Sequence, residues 1–248
     1  MGDVELMSER VLVDEWIKRE WSVRDQRDLD VIDEVVTRDM YAFRAYVESH
    51  SAPSLVLDIG AHIGTFTVLA KLFWPDTPVI AFEPNPASFE LLRENTDIWI
   101  DVTLVEVGVS YGERPDLVYV DSIKSTGSGF LIERDKAQEA IGWKDGADRM
   151  GYSVTEERMR TVTLEEYATG DYPNGVFMKL DAELAEVNIL NGMSAELASK
   201  IIRIVGEYHC EGGWGEFLER VDARKFPRLT FHSLAEDLMQ PIGLFHAI

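Results

Sequence analysis

The segment from Leu55 to Gly64 reads L-V-L-D-I-G-A-H-I-G and constrains the fold of this chain more than any other feature. Its apolar run predicts a buried strand that ends at Asp58, and its glycines predict a turn into a helix that starts near Thr65. Nineteen residues after Gly64, Glu83 closes a second apolar run. A glycine turn and an acidic residue at the ends of two neighbouring parallel strands are typical of a Rossmann-like sheet that binds a nucleotide-like ligand.

The spacing of the glycines separates the candidate ligands. A dinucleotide loop has the pattern G-x-G-x-x-G, in which three glycines admit a pyrophosphate at a helix N-terminus, but this chain has D-x-G-x-x-x-G. Asp58 would repel a pyrophosphate, whereas the ammonium and sulfonium groups of S-adenosylmethionine would be attracted to it. We therefore expect S-adenosylmethionine, with Gly60 and Gly64 leaving room for it. The alternative is a turn that serves only the geometry of the strand and the helix.

Three motifs in this order resemble those of the FkbM family of S-adenosylmethionine-dependent methyltransferases. They are residues 58–64, the segment F-E-P-N-P at residues 82–86, and the run from Val176 to Glu183 followed by Glu186 and Gly192. The resemblance extends from about Leu55 to His209. The family usually has asparagine at the position of His62 and glycine at the position of Leu184.

The resemblance implies an α/β fold and a cofactor site. The expected fold is that of a Rossmann-like class I methyltransferase: a mostly parallel seven-stranded sheet flanked by helices, with an antiparallel last strand and an N-terminal helical extension. The residues expected to contact the cofactor are Asp58, Gly60, His62, Gly64, Thr65, Glu83, Pro84, Asn85, Gly108, Val109, Asp181 and Tyr41. Three of them have structural alternatives: Asn85 as the N-cap of a helix, Gly108 as a strand-end turn and Tyr41 as core packing.

A single domain over all 248 residues is expected. Its parts are N-terminal helices over residues 1–52, a cofactor-binding half over 53–110, a substrate-region insertion over 111–170, and a catalytic edge with closing strands over 171–248. The helices are predicted from apolar residues at helical spacing. Two closing strands are predicted at residues 229–231 and 243–248.

The insertion is the least regular part of the sequence. Leu117 to Ser122 reads as a strand, residues 125–129 as a loop of small residues, and residues 131–150 as a charged segment that is mobile or helical. Substrate specificity is expected here. Trp143 and Met150 are candidates for an acceptor pocket or a lid.

Composition favours a soluble enzyme with a small-molecule substrate. The net charge is −21, with 45 acidic and 24 basic residues, and this argues against a nucleic-acid substrate because phosphate binding needs clustered lysine and arginine. No apolar stretch approaches the roughly 20 residues that span a bilayer, and no basic leader precedes an apolar segment, so we expect a cytoplasmic protein that does not bind membranes. Cys210 is the only cysteine, which excludes an intrachain disulfide. The oligomeric state stays open.

Ionisable residues in the second half of the chain are predicted to meet at one edge of the sheet. Asp181 follows a buried strand, and Glu183 lies two residues further on. Glu207 and His209 follow the next predicted strand and share one face, because side chains alternate along a strand. These four residues are the candidate catalytic groups.

The expected chemistry is an in-line displacement in which an acceptor oxygen attacks the methyl carbon of the sulfonium. Alignment of the reactants can supply roughly 7 to 11 kcal/mol, and a positioned base roughly 10²- to 10⁴-fold in rate. His209 suits the role of base because the unperturbed pKa of histidine is about 6.5, with Asp181 or Glu207 orienting it. Alternatively, Asp181 is itself the base. A divalent metal among these carboxylates and the imidazole is conceivable but not favoured.

Other functions remain as alternatives. The acceptor hydroxyl or carboxyl belongs to a polyketide, a sugar or a carboxylic acid, and N-methylation is the nearest competing reaction. A Rossmann oxidoreductase or epimerase would usually have a Tyr-x-x-x-Lys pair, and none of the eight tyrosines has lysine at that distance. A protein that binds the cofactor without catalysis is a third reading.

Overall fold

The strands of the computed structural model build four sheets within the residues it describes, which are 9–12, 19–111, 117–122, 130–133, 152–158, 160–183, 185–210, 212–234 and 242–248. In chain order the strands are β1 (Glu9–Leu12), β2 (Glu20–Val23), β3 (Leu55–Ile59), β4 (Val79–Phe82), β5 (Val102–Val105), β6 (Gly108–Val109), β7 (Leu117–Ser122), β8 (Phe130–Glu133), β9 (Tyr152–Arg158), β10 (Thr161–Val162), β11 (Val176–Leu180), β12 (Ile201–His209), β13 (Phe231–Ser233) and β14 (Ile242–Ala247).

The largest sheet has seven strands in the order β13-β14-β12-β11-β3-β4-β5. Strands β12, β11, β3, β4 and β5 are parallel to their neighbours in this row, while β14 is antiparallel to both β12 and β13. Every residue of β3, β4 and β11 is buried, which explains why these strands are apolar in the sequence apart from Asp58 in β3 and Lys179 in β11. The predicted fold, including its antiparallel closing strands, is confirmed.

Helices flank this sheet. They are α1 (Gln26–Ile32), α2 (Phe43–Ser49), α3 (Thr65–Phe73), α4 (Pro86–Thr96), α5 (Glu186–Gly192), α6 (Ala195–Lys200) and α7 (Gly213–Arg220), with a π-helical segment at Asp33–Thr37 directly after α1. The side chain of Asn85 caps α4 by accepting a hydrogen bond from the backbone N–H of Ala87 at 2.9 Å. The first predicted turn and both cofactor-side helices therefore lie where the sequence placed them.

The N-terminal prediction was partly wrong. Residues 9–12 and 20–23 are not helical but form the antiparallel pair β1 and β2. Trp21, Ser22 and Val23 are buried consecutively, which a helix with one buried face does not allow. The side chain of Asn95 fixes this extended backbone, since it accepts from the N–H of Ser22 at 2.8 Å and donates to the carbonyl of Ser22 at 3.0 Å. A tertiary contact thus overrides the local helical spacing.

The insertion also differs from its prediction in part. Leu117–Ser122 is a strand, as expected, but residues 131–133 belong to β8 and are not helical. Strands β7, β8 and β9 form a separate antiparallel sheet. The expected loop at 125–129, Trp143, Met150 and Leu184 lie outside the described residues.

The chain returns from the insertion to the edge of the cofactor-binding half. Strand β5 ends at Val105, where the N–H of Val107 turns back to the carbonyl of Val105 at 2.9 Å. Gly108 and Val109 then pair in parallel with Thr161 and Val162. Among the helices in the described ranges, none has the length and apolar character needed to cross a membrane.

Candidate active site

A cavity lies at the carboxyl ends of β3, β4 and β11, which is where ligands bind in open α/β sheets. It encloses about 1100 Å³ of empty space, part of which is open to solvent. The sheet edge thus provides the concave site that the sequence predicted.

Most of the residues expected to bind the cofactor or to act in catalysis line this cavity. They are Tyr41, Gly60, His62, Thr65, Glu83, Pro84, Gly108, Val109, Asp181, Glu183 and Glu207. Four of the expected residues are not part of the lining, namely Asp58, Gly64, Asn85 and His209. Asn85 caps α4, and the contacts of Asp58, Gly64 and His209 within the protein are described below.

In the cofactor-binding half, two backbone hydrogen bonds hold the carboxylate of Glu83 in place. One carboxylate oxygen accepts from the backbone N–H of His62 and the other from that of Asn85, both at 2.8 Å. Burial raises the pKa of Glu83 to about 7, although these two hydrogen bonds act in the opposite direction. Each oxygen keeps a further lone pair, so the carboxylate is ready to accept hydrogen bonds from a pair of ligand hydroxyls.

Asp58 has a different partner from the one expected. It is fully buried behind the loop, where it accepts from the hydroxyl of Thr67 at 2.6 Å and lies 3.7 Å from the ammonium of Lys179. The positive charge that compensates this carboxylate therefore comes from the protein. Asp58 is not among the residues that line the cavity, and its attraction for a cationic ligand stays a prediction.

Lys179 is a site residue that the sequence analysis missed. It lines the cavity, is buried, and donates to the carbonyl of Gly60 at 2.5 Å while lying 3.4 Å from Asp181 Oδ2. Burial lowers its pKa, but the carboxylates of Asp181 and Asp58 outweigh this and raise it. Lysine inside an apolar strand was the available signal, because buried lysine is rare unless it is paired.

The two glycines of the loop are required by the protein itself. Gly60 has a φ of +73°, and a Cβ there would lie 1.7 Å from the carbonyl oxygen of Asp181. Gly64 has a φ of +89°, and its Cβ would lie 2.7 Å from the Leu92 side chain. Both glycines thus allow close packing of the loop, Gly60 against Asp181 after β11 and Gly64 against α4, and their role in leaving room for the cofactor stays a prediction. Gly60 still borders the cavity.

His62 joins the loop to the N-terminal segment. Its Nε2 lies 2.9 Å from the guanidinium of Arg24 and 3.4 Å from Asp28. Burial and the charge of Arg24 lower its pKa, Asp28 acts in the opposite direction, and the result is a pKa of about 4. The imidazole is therefore neutral at pH 7. Its φ of +52° is a left-handed conformation that side chains with a Cβ adopt at a cost.

The N-terminal helices form one wall of the cavity. Tyr41 is almost fully buried and packs edge-on against Phe66, with ring centroids 5.9 Å apart, and it also lines the cavity. Tyr41 therefore both packs in the core and lines the cavity. Val31, Glu34 and Met40 line the same wall and were not predicted.

The second half of the site is centred on His209. Its Nε2 lies 3.2 Å from Glu183 and its Nδ1 lies 3.2 Å from Glu186, while Glu207 is 3.7 Å away. Burial lowers the pKa of His209, but the hydrogen bond and charge of Glu186, followed by the charges of Glu183 and Asp181, raise it to about 10. The ring is thus an imidazolium at neutral pH. A protonated ring cannot accept a further proton, so these contacts favour another group over His209 as the base.

Glu207 is better suited to accept a proton. It lines the cavity, and burial followed by the charge of Asp181 raises its pKa to about 8, against the opposing charge of His209. A group with a pKa close to working pH combines an available basic form with adequate proton affinity. The convergence of Asp181, Glu183, Glu207 and His209 at one edge agrees with the prediction, whereas their charge states do not.

Among the described residues, three side chains at the same edge of the sheet could bind a divalent cation. One ligand atom each from Asp181, Glu186 and His209 lies within 4.8 Å of the others. Two carboxylates and an imidazole suit several divalent ions. However, both ring nitrogens of His209 already meet carboxylates, and the pKa of about 10 means that a metal must displace a tightly held proton.

Comparisons with known proteins agree with this geometry. A family model described as the methyltransferase FkbM domain matches residues 58–228. The chain is 28% identical over 169 residues to methyltransferase sdnD of Sordaria araneosa, covering 61% of this chain and 65% of that protein. It is 25% identical over 181 residues to the hexuronic acid methyltransferase AglP of Haloferax volcanii, covering 72% and 62% respectively.

A further relative is the 31-O-demethyl-FK506 methyltransferase FkbM of Streptomyces tacrolimicus, 27% identical over 202 residues, with 72% of this chain and 76% of that protein covered. The matches to sdnD and AglP thus span less than two thirds of those proteins. The matched family segment contains Glu83, Asp181 and Glu207, which all line the cavity.

Proposed function

Because this chain belongs to the FkbM methyltransferase domain family, as its motifs indicated, we propose that it transfers the methyl group of S-adenosylmethionine to a hydroxyl oxygen of a small molecule. The observation that carries this proposal is the carboxylate of Glu83, which two backbone amides fix at the cavity wall. That arrangement suits the two hydroxyls of a ribose ring. The O-methylation named for the relative from Streptomyces tacrolimicus supports the choice of oxygen.

The residues that line the cavity suit the different parts of the cofactor. Glu83 and Pro84 follow β4, and Gly108 and Val109 lie after β5, so these four residues would hold the nucleoside portion. Asp181 lies across the sheet after β11 and would face the positively charged portion. When bound, S-adenosylmethionine supplies a methyl group that is already activated for attack. The protein therefore has to orient an acceptor and remove its proton.

The charges around the acceptor side restrict the substrate. Carboxylates of Glu34, Asp181, Glu183 and Glu207 all line the cavity, and Lys179 is already engaged by Gly60 and Asp181. An acceptor that carries a carboxylate or a phosphate would be repelled from this wall. We therefore favour a neutral hydroxyl acceptor, such as a polyketide or a sugar, over a carboxylic acid.

Proton removal is assigned to Glu207. As the acceptor oxygen attacks, its proton passes to the carboxylate of Glu207, whose pKa of about 8 permits this near neutral pH. The imidazolium of His209 lies between Glu183 and Glu186 and holds the acidic rim together. Asp181 remains the alternative base, because it also lines the cavity.

One observation favours a second candidate, which is N-methylation. The same acidic wall would attract a protonated amine. Such an acceptor must lose its proton before attack, but a neutral amine needs no base during the methyl transfer. Glu207 would then affect binding more than the chemical step.

The remaining expectations stay proposals. A substrate of small size is supported by the cavity, and a nucleic-acid substrate is disfavoured by the net charge of −21. A cytoplasmic location and a single domain over the whole chain are likewise proposed from the sequence.

The test is a methyl-transfer assay with S-adenosylmethionine labelled in its methyl group. Neutral phenols, macrolactone alcohols and sugars are compared with matched carboxylic acids and amines, using the wild type and Glu207→Gln. We expect labelled product from a neutral hydroxyl acceptor and a loss of roughly 10²- to 10⁴-fold in rate for the variant. Labelling of an amine at a rate that Glu207→Gln leaves unchanged would establish N-methylation. Preferential labelling of a carboxylic acid would contradict the restriction on the acceptor.

A further inference from the structure

Ser88 is a buried polar residue of the cavity wall that the proposed mechanism does not use. It lies in the first turn of α4, is 1% exposed, and lines the cavity together with Glu83 and Pro84. Its backbone N–H points to the capping side chain of Asn85. Its hydroxyl has no hydrogen-bond partner in the part of the chain that the structure describes.

A lone hydroxyl at this depth requires an explanation. Buried polar groups are almost always hydrogen-bonded, because a group removed from water without a partner costs free energy. The usual solution for serine or threonine in a helix is a hydrogen bond to the carbonyl four residues earlier. Thr96 of the same helix does this, donating to the carbonyl of Leu92 at 2.7 Å. Ser88 lies in the first turn, where the carbonyl four residues earlier belongs to Pro84 outside α4, and its hydroxyl does not make this bond. The hydroxyl is left for a group that enters the cavity.

The position of Ser88 identifies which part of the ligand it meets. Helix α4 follows β4, and the neighbouring lining residues are Glu83 on the same connection and Gly108 after β5. Asp181 follows β11 and Glu207 belongs to β12, and both of these strands lie on the other side of β3 in the sheet order. Ser88 therefore borders the end of the cavity assigned above to the nucleoside.

We propose that the Ser88 hydroxyl hydrogen-bonds the nucleoside portion of S-adenosylmethionine and of its product. This inference rests on the proposed function. A hydroxyl donates one hydrogen bond and accepts others, so it matches either a ribose hydroxyl or a ring nitrogen of adenine. Ser88 is then a cofactor-binding residue, in addition to Glu83.

The test is a calorimetric titration of the ligand-free protein with S-adenosylhomocysteine, using the wild type, Ser88→Ala and Thr96→Val. The Thr96 variant is the matched control, because it removes a buried hydroxyl from the same helix that already has a partner. We expect Ser88→Ala to weaken binding about 3- to 10-fold without lowering the melting temperature of the ligand-free protein. Thr96→Val is expected to do the opposite, with a lower melting temperature and an unchanged Kd.

A second ligand locates the contact. 5′-Methylthioadenosine has the nucleoside but lacks the amino-acid part, so Ser88→Ala should weaken its binding by the same factor. An analogue of it that lacks both ribose hydroxyls distinguishes the two parts of the nucleoside. If Ser88 binds a ribose hydroxyl, the variant and the wild type bind this analogue equally; if Ser88 binds adenine, the factor persists.

Two results would overturn the inference. One is an unchanged Kd of Ser88→Ala for S-adenosylhomocysteine, and the other is a loss seen with S-adenosylhomocysteine but not with 5′-methylthioadenosine. Failure of the proposed function looks different, since the wild type itself would then bind neither ligand.

Discussion

Gly60 and Asp181 are in direct contact, although one belongs to the glycine loop and the other follows a strand in the second half of the chain. A Cβ on Gly60 would lie 1.7 Å from the carbonyl oxygen of Asp181, and the N–H of Asp181 donates to the carbonyl of Ile59 at 3.1 Å. Lys179 adds a third link by donating to the carbonyl of Gly60 at 2.5 Å. The glycine loop and the strand end at Asp181 are therefore joined by close packing and hydrogen bonds.

Gly60→Ala tests this close packing. The new Cβ would collide with backbone and would also occupy a φ of +73°, so we expect a loss of about 2 to 4 kcal/mol in the free energy of unfolding. Gly215→Ala is the control, because a Cβ in this helical position meets nothing within 4 Å. It should leave the protein unchanged or stabilise it by up to about 1 kcal/mol. Urea unfolding measures both, and equal stabilities of the two variants would contradict the close contact.

The pH dependence of methyl transfer tests the assignment of Glu207. Its pKa of about 8 predicts that kcat/KM rises as the pH increases towards 8 and levels off above it, because only the carboxylate accepts a proton. Glu207→Gln should abolish this rise and lower the rate roughly 10²- to 10⁴-fold. The profile is measured with the acceptor found in the labelling assay. A rise that persists unchanged in the variant would assign the base to another group.

The charge of His209 has a consequence for stability. In the folded protein its pKa is about 10, whereas histidine in an unfolded chain titrates near 6.5. The folded state binds the extra proton between these values, so stability contributed by His209 is complete below pH 6.5 and is lost as the pH rises towards 10. Compared with His209→Gln, we expect the wild-type advantage to shrink by on the order of 1 to 3 kcal/mol across this window.

Urea unfolding at several pH values measures this advantage. Exposed His232 provides the control, and His232→Gln should follow the wild-type curve throughout. A constant difference between the wild type and His209→Gln from pH 6.5 to 10 would show that His209 is neutral in the folded protein.

Divalent metal should not be needed. At pH 7 a metal on His209 must displace a proton with a pKa of about 10, which weakens its apparent affinity roughly a thousandfold. We expect that chelation leaves methyl transfer unchanged and that titration with Mg²⁺ or Mn²⁺ at pH 7 gives no binding heat. Stoichiometric binding that His209→Gln abolishes, together with loss of activity after chelation, would establish a metal enzyme instead.

The strands around the glycine turn and the start of the helix after Glu83 could be predicted because they depend on local patterns, whereas the seven-stranded sheet was implied by the family resemblance. Buried strands that are apolar at most positions, a glycine turn at Gly60 and an N-cap at Asn85 are each visible in a few adjacent residues of the sequence. The convergence of Glu83 and Asp181 follows from this topology alone. These parts of the site could therefore be predicted from the sequence.

Features that depend on contacts between residues far apart in the sequence could not be predicted. Strand β2 looks helical by spacing, and its extended form depends on Asn95, far along the chain. The charge of His209 depends on Glu186, which only the fold brings to 3.2 Å. The sequence pairs Asp58 with a cationic ligand, because no residue near Asp58 in the sequence indicates that the ammonium of Lys179 compensates its charge.

The central claim is that Glu83 and the cavity around it bind the nucleoside of S-adenosylmethionine. The direct measurement is calorimetric titration of the wild type and Glu83→Gln with S-adenosylhomocysteine and, separately, with NAD. The substitution keeps the size of the side chain but removes the carboxylate that two amides hold at 2.8 Å, so we expect binding at least about 10-fold weaker. Saturable binding of S-adenosylhomocysteine that depends on Glu83, with none of NAD, is the predicted result. Binding of NAD, or equal affinity of both proteins for S-adenosylhomocysteine, would contradict the account.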